Sequence, residues 1–407
     1  LGRRELRPGP WTLDVIRELL RRLDHPQEAF PAIHVTGTRG KGSTCAMLER
    51  ALREAGFRTG LTTSPHLLSP RERIRICGSD LAAARFWPLV ERVRDAAEDL
   101  AAGYFEVLTA AAFVAFSEAK VDIAVVEVGL GGRVDATNVV RTRVGVVTRL
   151  GMDHAQRLGG TRASIAREKA GILHPGMRAV IAPNLPEVVE VVAEQAQRVG
   201  IPLRRVGTDA VLAAPPTSLD GAVQRENAAV ALATLEELDT ASEGRLRVPT
   251  ELARRALLDV RWRARLELMP RALDGVDLLL DVAHDVDGTR ALVDHLAERT
   301  PSAVVFACLA DKDLEGITAI LRAAPAFARA VTFVPQLAGH RSRPADEVAA
   351  VLVAAGLRAR ACAGVAEALR AARGLAGEGG PAEALVVAFG SFVLASEILR
   401  VLGEAVE

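Results

Sequence analysis

The sequence predicts an α/β protein: a central domain built on a mostly parallel sheet with a glycine-rich phosphate turn, followed by a smaller α/β domain. Three observations lead there. Short Val/Ile/Ala-rich runs without strict alternation recur between helical patterns along nearly the whole chain, as expected for a sheet covered on both faces. At residues 33–52, "IHVTGTRGKGSTCAMLERAL" passes from an apolar run through glycines, a lysine and two hydroxyls into a helical pattern. The length, 407 residues, exceeds a comfortable single core, so two domains are expected.

In chain order, 32–36 reads as a buried strand, and Met47, Leu48, Leu52 and Ala55 stand at helical spacing after it. Strands are then expected at 58–63, 121–128, 144–148 and 178–182, with a short one near Leu203. Helical patterns at 109–118 and 187–197 separate them. Around 266–274 the alternation breaks, at Pro270 in "LELMPRALDG". A second series follows, with strands at 278–282, 303–309, 330–334 and 384–388. The expected domains are therefore 1–267 and 275–407.

Bulk properties exclude several function classes. Net charge is zero and no basic run stands out, which argues against nucleic acid as a partner. No apolar stretch approaches a membrane span, and "LGRRELRPGP" lacks a signal-peptide core. Cys45, Cys77, Cys308 and Cys362 have neither disulfide-framework nor zinc-site spacing, so the cytoplasm is the expected compartment. Of 51 basic residues only Lys41, Lys120, Lys169 and Lys312 are lysine. A chain that writes nearly every cation as arginine directs attention to these compact, reactive amines.

The glycine turn departs from the strict pattern G-x-x-x-x-G-K-[ST], since two residues separate Gly37 from Gly40 and Gly42 intervenes before Ser43. Its ingredients are still those of a phosphate cradle. Gly37, Gly40 and Gly42 allow close approach of backbone N–H groups, a helix N-terminus points at the anion, and Lys41 supplies a point charge. Ser43 or Thr44 offers a hydroxyl to Mg²⁺. In open parallel sheets ligands sit beyond the carboxyl ends of the strands. That rule selects Ser64 in "TSPHLLSPRERIRI", Glu127 in "VDIAVVEVGLGGRVDATN", and Asp153 and His154 in "RLGMDHAQRLGG". Each has a plainer alternative: Ser64 as a turn residue before Pro65, and His154 as a structural or surface histidine. A carboxylate on a strand as apolar as that of Glu127 is costly unless it has a task. Lys169, in "SIAREKAGILHPG", reads on its own as part of a solvated, salt-bridged helix face with Glu168.

Together "GTRGKGS", "TSPHLLSPRERIRI", "EVGLGGRVDATN", "MDH" and "REKAGI", in this order, resemble the Mur-type ATP-dependent amide ligases. More narrowly they resemble the folylpolyglutamate synthase/dihydrofolate synthase branch. The resemblance implies a P-loop-containing Mur-ligase-like central domain and a Rossmann-like C-terminal one. It implies that Gly40, Lys41, Gly42 and Ser43 hold the phosphates of ATP, with Asn227, Arg265 and Asp281 as further nucleotide contacts. Ser64, Glu127 and His154 match the magnesium ligands. Lys169 matches a carbamylated lysine (N6-carboxylysine), a role open only to a primary amine. Pro65, His66, Val134, Asp135 and Ala136 would face the pteroate or folate. His284 would orient the amine or help bind the nucleotide.

Some positions depart from the branch. Arg39 stands for asparagine, Arg263 and Ala264 for Pro-Gly in W-P-G-R, and Val282 and Asp285 for Gly and Asn in D-G-A-H-N-P. The implied reaction joins L-glutamate to a pteroate or folate carboxylate through an acyl phosphate, with ATP and Mg²⁺, in a monomeric enzyme. The competing readings are a Mur-type ligase for another acid and amine, a nucleotide-driven switch, and a nucleotide-binding pseudoenzyme without turnover.

Overall fold

A computed structural model of the chain describes residues 12–152, 159–297, 299–339, 341–377 and 384–404. Contacts divide the chain into two units. The first takes in Leu1–His66, Pro70–Ser218 and Val223–Arg261; the second Leu67–Ser69, Leu219–Ala222 and Trp262–Glu407.

The first unit is organised by eight strands: β1 (Ala32–Thr36), β2 (Thr59–Thr62), β3 (Ile74–Ile76), β4 (Ser79–Asp80), β5 (Ile123–Glu127), β6 (Thr142–Val147), β7 (Arg178–Ile181) and β8 (Leu203–Arg205). Their order is β4-β3-β2-β5-β1-β6-β7-β8. Every pair from β2 to β8 is parallel, and β3 and β4 add an antiparallel edge. After β1 the chain crosses to β2 and β5 on one side, then returns to β6 on the other. That reversal creates a switch point at the carboxyl end of β1. Register places the strand ends level there: Val35 lies opposite Glu127 and Thr36 opposite Val147. Strands β1 and β5 are buried throughout because helices cover both faces. On one face the helix Tyr104–Glu118 is buried nearly all round, and its Phe113 and Phe116 meet Phe30 at centroid separations of 6.1 and 5.6 Å. Each such fully buried phenylalanine contributes roughly 2 kcal/mol.

The second unit has six strands: β9 (Glu267–Leu273), β10 (Val276–Leu280), β11 (Ala303–Phe306), β12 (Val331–Pro335), β13 (Arg358–Cys362) and β14 (Leu385–Phe389), in the order β13-β12-β11-β14-β10-β9. Successive residues alternate between two cores. Leu278, Leu280, Val305, Val386 and Ala388 pack on one face, and Leu279, Val304, Phe306, Val387 and Phe389 on the other.

Strands β3, β4, β9 and β13 correct the sequence reading, β3 and β4 being short antiparallel additions that it did not contain. The stretch around Pro270, read as a break, is the antiparallel edge strand β9, paired with β10. An edge strand accepts proline because one side of its backbone has no ladder to supply, and the register shift near Val276 spoils the alternation. Strand β13 was missed because Arg358 and Arg360 alternate with alanines on the opposite edge, where little is buried.

Candidate active site

The glycine turn follows β1 directly. Gly37 has φ +153°, and a Cβ there would stand 1.8 Å from Thr148 Oγ1. Thr148, just beyond β6, places its hydroxyl 2.7 Å from Arg39 O, while Thr38 N and Arg39 N donate to Arg149 O. The turn is thus pinned to the neighbouring strand end. Gly40, at φ +80°, precedes the helix Lys41–Glu54, and an added Cβ would lie 2.2 Å from Asn227 Oδ1. Asn227 comes from the helix Ala222–Ala241 and donates through Nδ2 to Gln224 Oε1 at 2.9 Å. Only glycine combines a left-handed backbone with such close cover. Ser43 and Thr44 are buried in the first helical turn, and among the described residues no partner satisfies Thr44 Oγ1.

Two other strand ends, those of β5 and β2, meet this turn. Glu127, the last residue of β5, is 5% exposed. Its Oε2 accepts from Ser64 N at 3.0 Å, and its Oε1 lies 3.7 Å from Lys41 Nζ. A buried carboxylate is tolerable only with such partners, and its hard oxygens are of the kind a hard cation takes. Among the described residues no group of three or more His, Cys, Asp or Glu side chains is placed to hold a metal ion. A cation held by Glu127 and Ser64 would draw most of its oxygens from ligand and water, which is the habit of Mg²⁺. Asp153 and His154 lie outside the described residues.

Lys169 corrects the solvated-face reading. It is 5% exposed, and its Nζ donates to Gly37 O at 2.9 Å. On the helix Arg162–Ala170 it lies four residues after buried Ile165 and shares that inward face. Its neighbour Glu168 points away and pairs with Arg133 at 3.1 Å. The loop after β5 brackets this helix. Arg133 N donates to Glu168 O, and Asn138 Nδ2 donates to Arg133 O and to Gly171 O.

Within the same loop Asp135 is buried and accepts from Leu130 N at 2.9 Å, Thr137 N at 3.0 Å and Thr137 Oγ1. Burial pushes its carboxyl up, opposed by those hydrogen bonds. Thr137 Oγ1 also meets His34 Nε2 at 2.8 Å. Complete burial holds the His34 imidazole near a pKa of about 3, hence neutral. Ala136 is buried and Val134 half-buried. After Ser64, joined to Pro65 by a cis bond, His66 Nδ1 accepts from Arg73 Nε at 2.9 Å. The Arg73 guanidinium stacks 5.4 Å from the Tyr104 ring centroid.

In the second unit the candidates gather beyond β10. Asp281 is buried and accepts from Leu266 N at 2.8 Å and Ala283 N at 2.6 Å. Burial raises its pKa and the Arg265 charge opposes the rise. Arg265 sits 5.4 Å over the Phe392 ring centroid, and the His284 ring lies 6.2 Å from the same ring. His284 Nδ1 is 2.7 Å from Val282 O, so that nitrogen carries the hydrogen. Of the departures, Val282 fills the core and Asp285 caps the helix Val286–His295 by accepting from Gly288 N at 2.7 Å. Sequence reasoning missed Thr148 and Asn138 in the first unit and Phe392 in the second, which shape their surroundings without carrying charge.

Comparison with known proteins places the chain in a family. The family model "Mur ligase middle domain" matches residues 35–224, and "Mur ligase, glutamate ligase domain" matches 264–392. The dihydrofolate synthase/folylpolyglutamate synthase of Mycobacterium tuberculosis is 35% identical over 392 residues, covering 85% of this chain and 78% of that protein. The crystal structure of M. tuberculosis folylpolyglutamate synthase complexed with ADP and AMPPCP superposes with a TM-score of 0.86 at 30% identity, covering 97% of this chain and 96% of that one. The bifunctional synthase of Yersinia pestis with Mn, AMPPNP and L-glutamate bound gives 0.82 at 30% identity, over 97% and 95% of the two chains.

Proposed function

We infer function from membership: the chain belongs to the Mur ligase family, within its dihydrofolate synthase/folylpolyglutamate synthase group. It is an ATP-dependent carboxylate–amine ligase that joins L-glutamate to a pteroate or folate carboxylate, using ATP and a divalent cation. The observation that carries the residue assignment is the meeting of Lys41, Ser64, Glu127 and Lys169 at one glycine turn.

A carboxylate resists amines because oxide is a hopeless leaving group. Transfer of the γ-phosphoryl group to a carboxylate oxygen, with ADP leaving, converts that oxygen into a phosphate leaving group. The glutamate nitrogen then adds to the acyl carbon, loses a proton and expels phosphate. Gly40, Gly42 and Ser43 would offer backbone N–H groups to the phosphates, and Lys41 would offset charge on the group in transfer. Ser64 and Glu127, with His154, would hold Mg²⁺, which when bound supplies charge neutralisation on the phosphoryl oxygens. Lys169 would act as its carbamate, presenting a carboxylate where the unmodified amine meets Gly37 O. Asn227, Arg265 and Asp281 are the proposed nucleotide contacts, and His284 the group that orients the amine. Pro65, His66, Val134, Asp135 and Ala136 are assigned to the pterin-bearing acid. For Asp135 the role is to fix the loop, since both its oxygens are engaged. Among the described residues no helix is long and apolar enough to cross a membrane, and a cytoplasmic monomer is proposed.

Phosphate release with ATP and Mg²⁺ tests the assignment, using dihydropteroate or a reduced folate with and without L-glutamate. Glutamate-dependent release with either acid is the expected result. Tight nucleotide binding without release under any of these conditions would make the chain a pseudoenzyme and overturn it.

A further inference from the structure

The loop that carries Arg265 is held in an unfavourable backbone. Ala264 has φ +55° and Leu266 φ +51°, both left-handed, and neither is glycine. L residues avoid this region because Cβ crowds the backbone. Something must hold the loop there, and three charged side chains surround it. Arg263 gives a two-pronged contact to Glu404, Nη1 to Oε2 at 2.6 Å and Nη2 to Oε1 at 2.7 Å. Its Nε donates to Glu267 Oε1 at 2.6 Å. The other oxygen of Glu267 accepts from Ala264 N at 2.7 Å, so the ion pair reaches the left-handed residue itself. On the far side Ala264 O accepts from Val282 N at 3.1 Å, and Asp281 accepts from Leu266 N. Arg265 stands between these two anchored residues, over Phe392.

We propose that Arg263, Glu267 and Glu404 form a positioning clamp that holds Arg265 in its nucleotide-binding pose by enforcing a turn the local sequence disfavours. Bidentate guanidinium–carboxylate pairs fix geometry as well as charge, which a single lysine–carboxylate contact would not. The proposal rests on the assignment of Arg265 as a nucleotide contact. It adds three residues to which that assignment gives no role.

The test compares KM for ATP, kcat and thermal midpoint in the full-length protein. Arg263→Ala and Glu404→Gln should raise KM for ATP by about five- to tenfold, the scale of one strained turn released, with kcat little changed. Adding Ala264→Gly to Arg263→Ala should recover part of that loss, because glycine enters the left-handed region without a clamp. Glu404→Gln keeps the side chain's bulk, so it reports on the clamp even if Arg263→Ala folds poorly. Unchanged KM in Glu404→Gln with a normal midpoint overturns the clamp. An equal rise in KM with alanine or glycine at 264 overturns its action through the turn. Arg265→Ala is the control: if it leaves KM for ATP unchanged, the nucleotide assignment fails, whatever the clamp variants do.

Discussion

The glycine turn of the first unit and the Arg265 loop of the second solve the same problem differently. Each must hold a cation beyond the carboxyl end of a strand on a backbone that runs through left-handed space. In the first unit the demanding positions are Gly37 and Gly40, where the chain itself can comply and neighbours close in on the missing Cβ. In the second they are Ala264 and Leu266, and compliance comes from outside, through Glu267, Arg263 and Glu404. The first solution is local and tolerates no side chain. The second is distributed and tolerates one, provided the ion pairs are in place.

The largest effect expected from this contrast lies in the first unit, where the functional groups are buried and have no substitute. Lys169→Ala should lower kcat by about a thousandfold, the scale of losing a group that acts on transition-state charge. Lys169→Arg should lose as much, because a guanidinium cannot form a carbamate. If the arginine variant keeps activity within about tenfold of the parent, a plain positive charge suffices there and the carbamate role is gone. Mass measurement of the intact protein under CO₂ offers a second reading of the same question.

Next comes Gly40→Ala. At φ +80° the new methyl is strained by roughly 1–2 kcal/mol, and it must also displace the Asn227 amide from 2.2 Å. We expect kcat/KM for ATP to fall by about a hundredfold with a lower unfolding midpoint, since both the turn and its cover must move. A variant with normal kinetics would mean that the turn is free to reshape. The contrast between a rigid local solution and a distributed one would then collapse.

How much was legible follows the same line. Strand β1, the glycine turn and Glu127 were readable because local sequence dictates them: apolar run, glycines, then a carboxylate where no carboxylate is comfortable. Lys169 was misread from its neighbour. Residues one apart on a helix point about 100° from each other, so Glu168 can meet solvent while Lys169 turns inward with Ile165. The spacing to Ile165 was the available signal. Nothing local announces that Arg263 and Glu404, 141 residues apart, will share a fork, and Pro270 hides the edge strand that brings Glu267 to them. Burial patterns are written into short windows, whereas ion pairs between distant loops depend on the finished fold.

The smallest effect is the most discriminating, because it is the mirror image of Gly40→Ala. Ala264→Gly alone would relieve about 1–2 kcal/mol of left-handed strain. Glycine, however, loses about 0.5–1 kcal/mol more backbone freedom on folding. The Ala264 methyl is fully buried in the second unit's core, and its loss removes about 0.8 kcal/mol. The three contributions nearly cancel, so urea unfolding should place the variant within about 1 kcal/mol of the parent, with unchanged slope. With the clamp intact, KM for ATP should also stay within about twofold. A stabilisation of about 2 kcal/mol or more would show that the methyl packs against nothing useful and that the clamp works against a larger strain. A marked loss of stability would show the opposite, that alanine is there for its packing and the left-handed turn carries little cost. Between those limits, alanine at 264 is tolerated because core burial offsets strain and the charges around it keep the turn from relaxing.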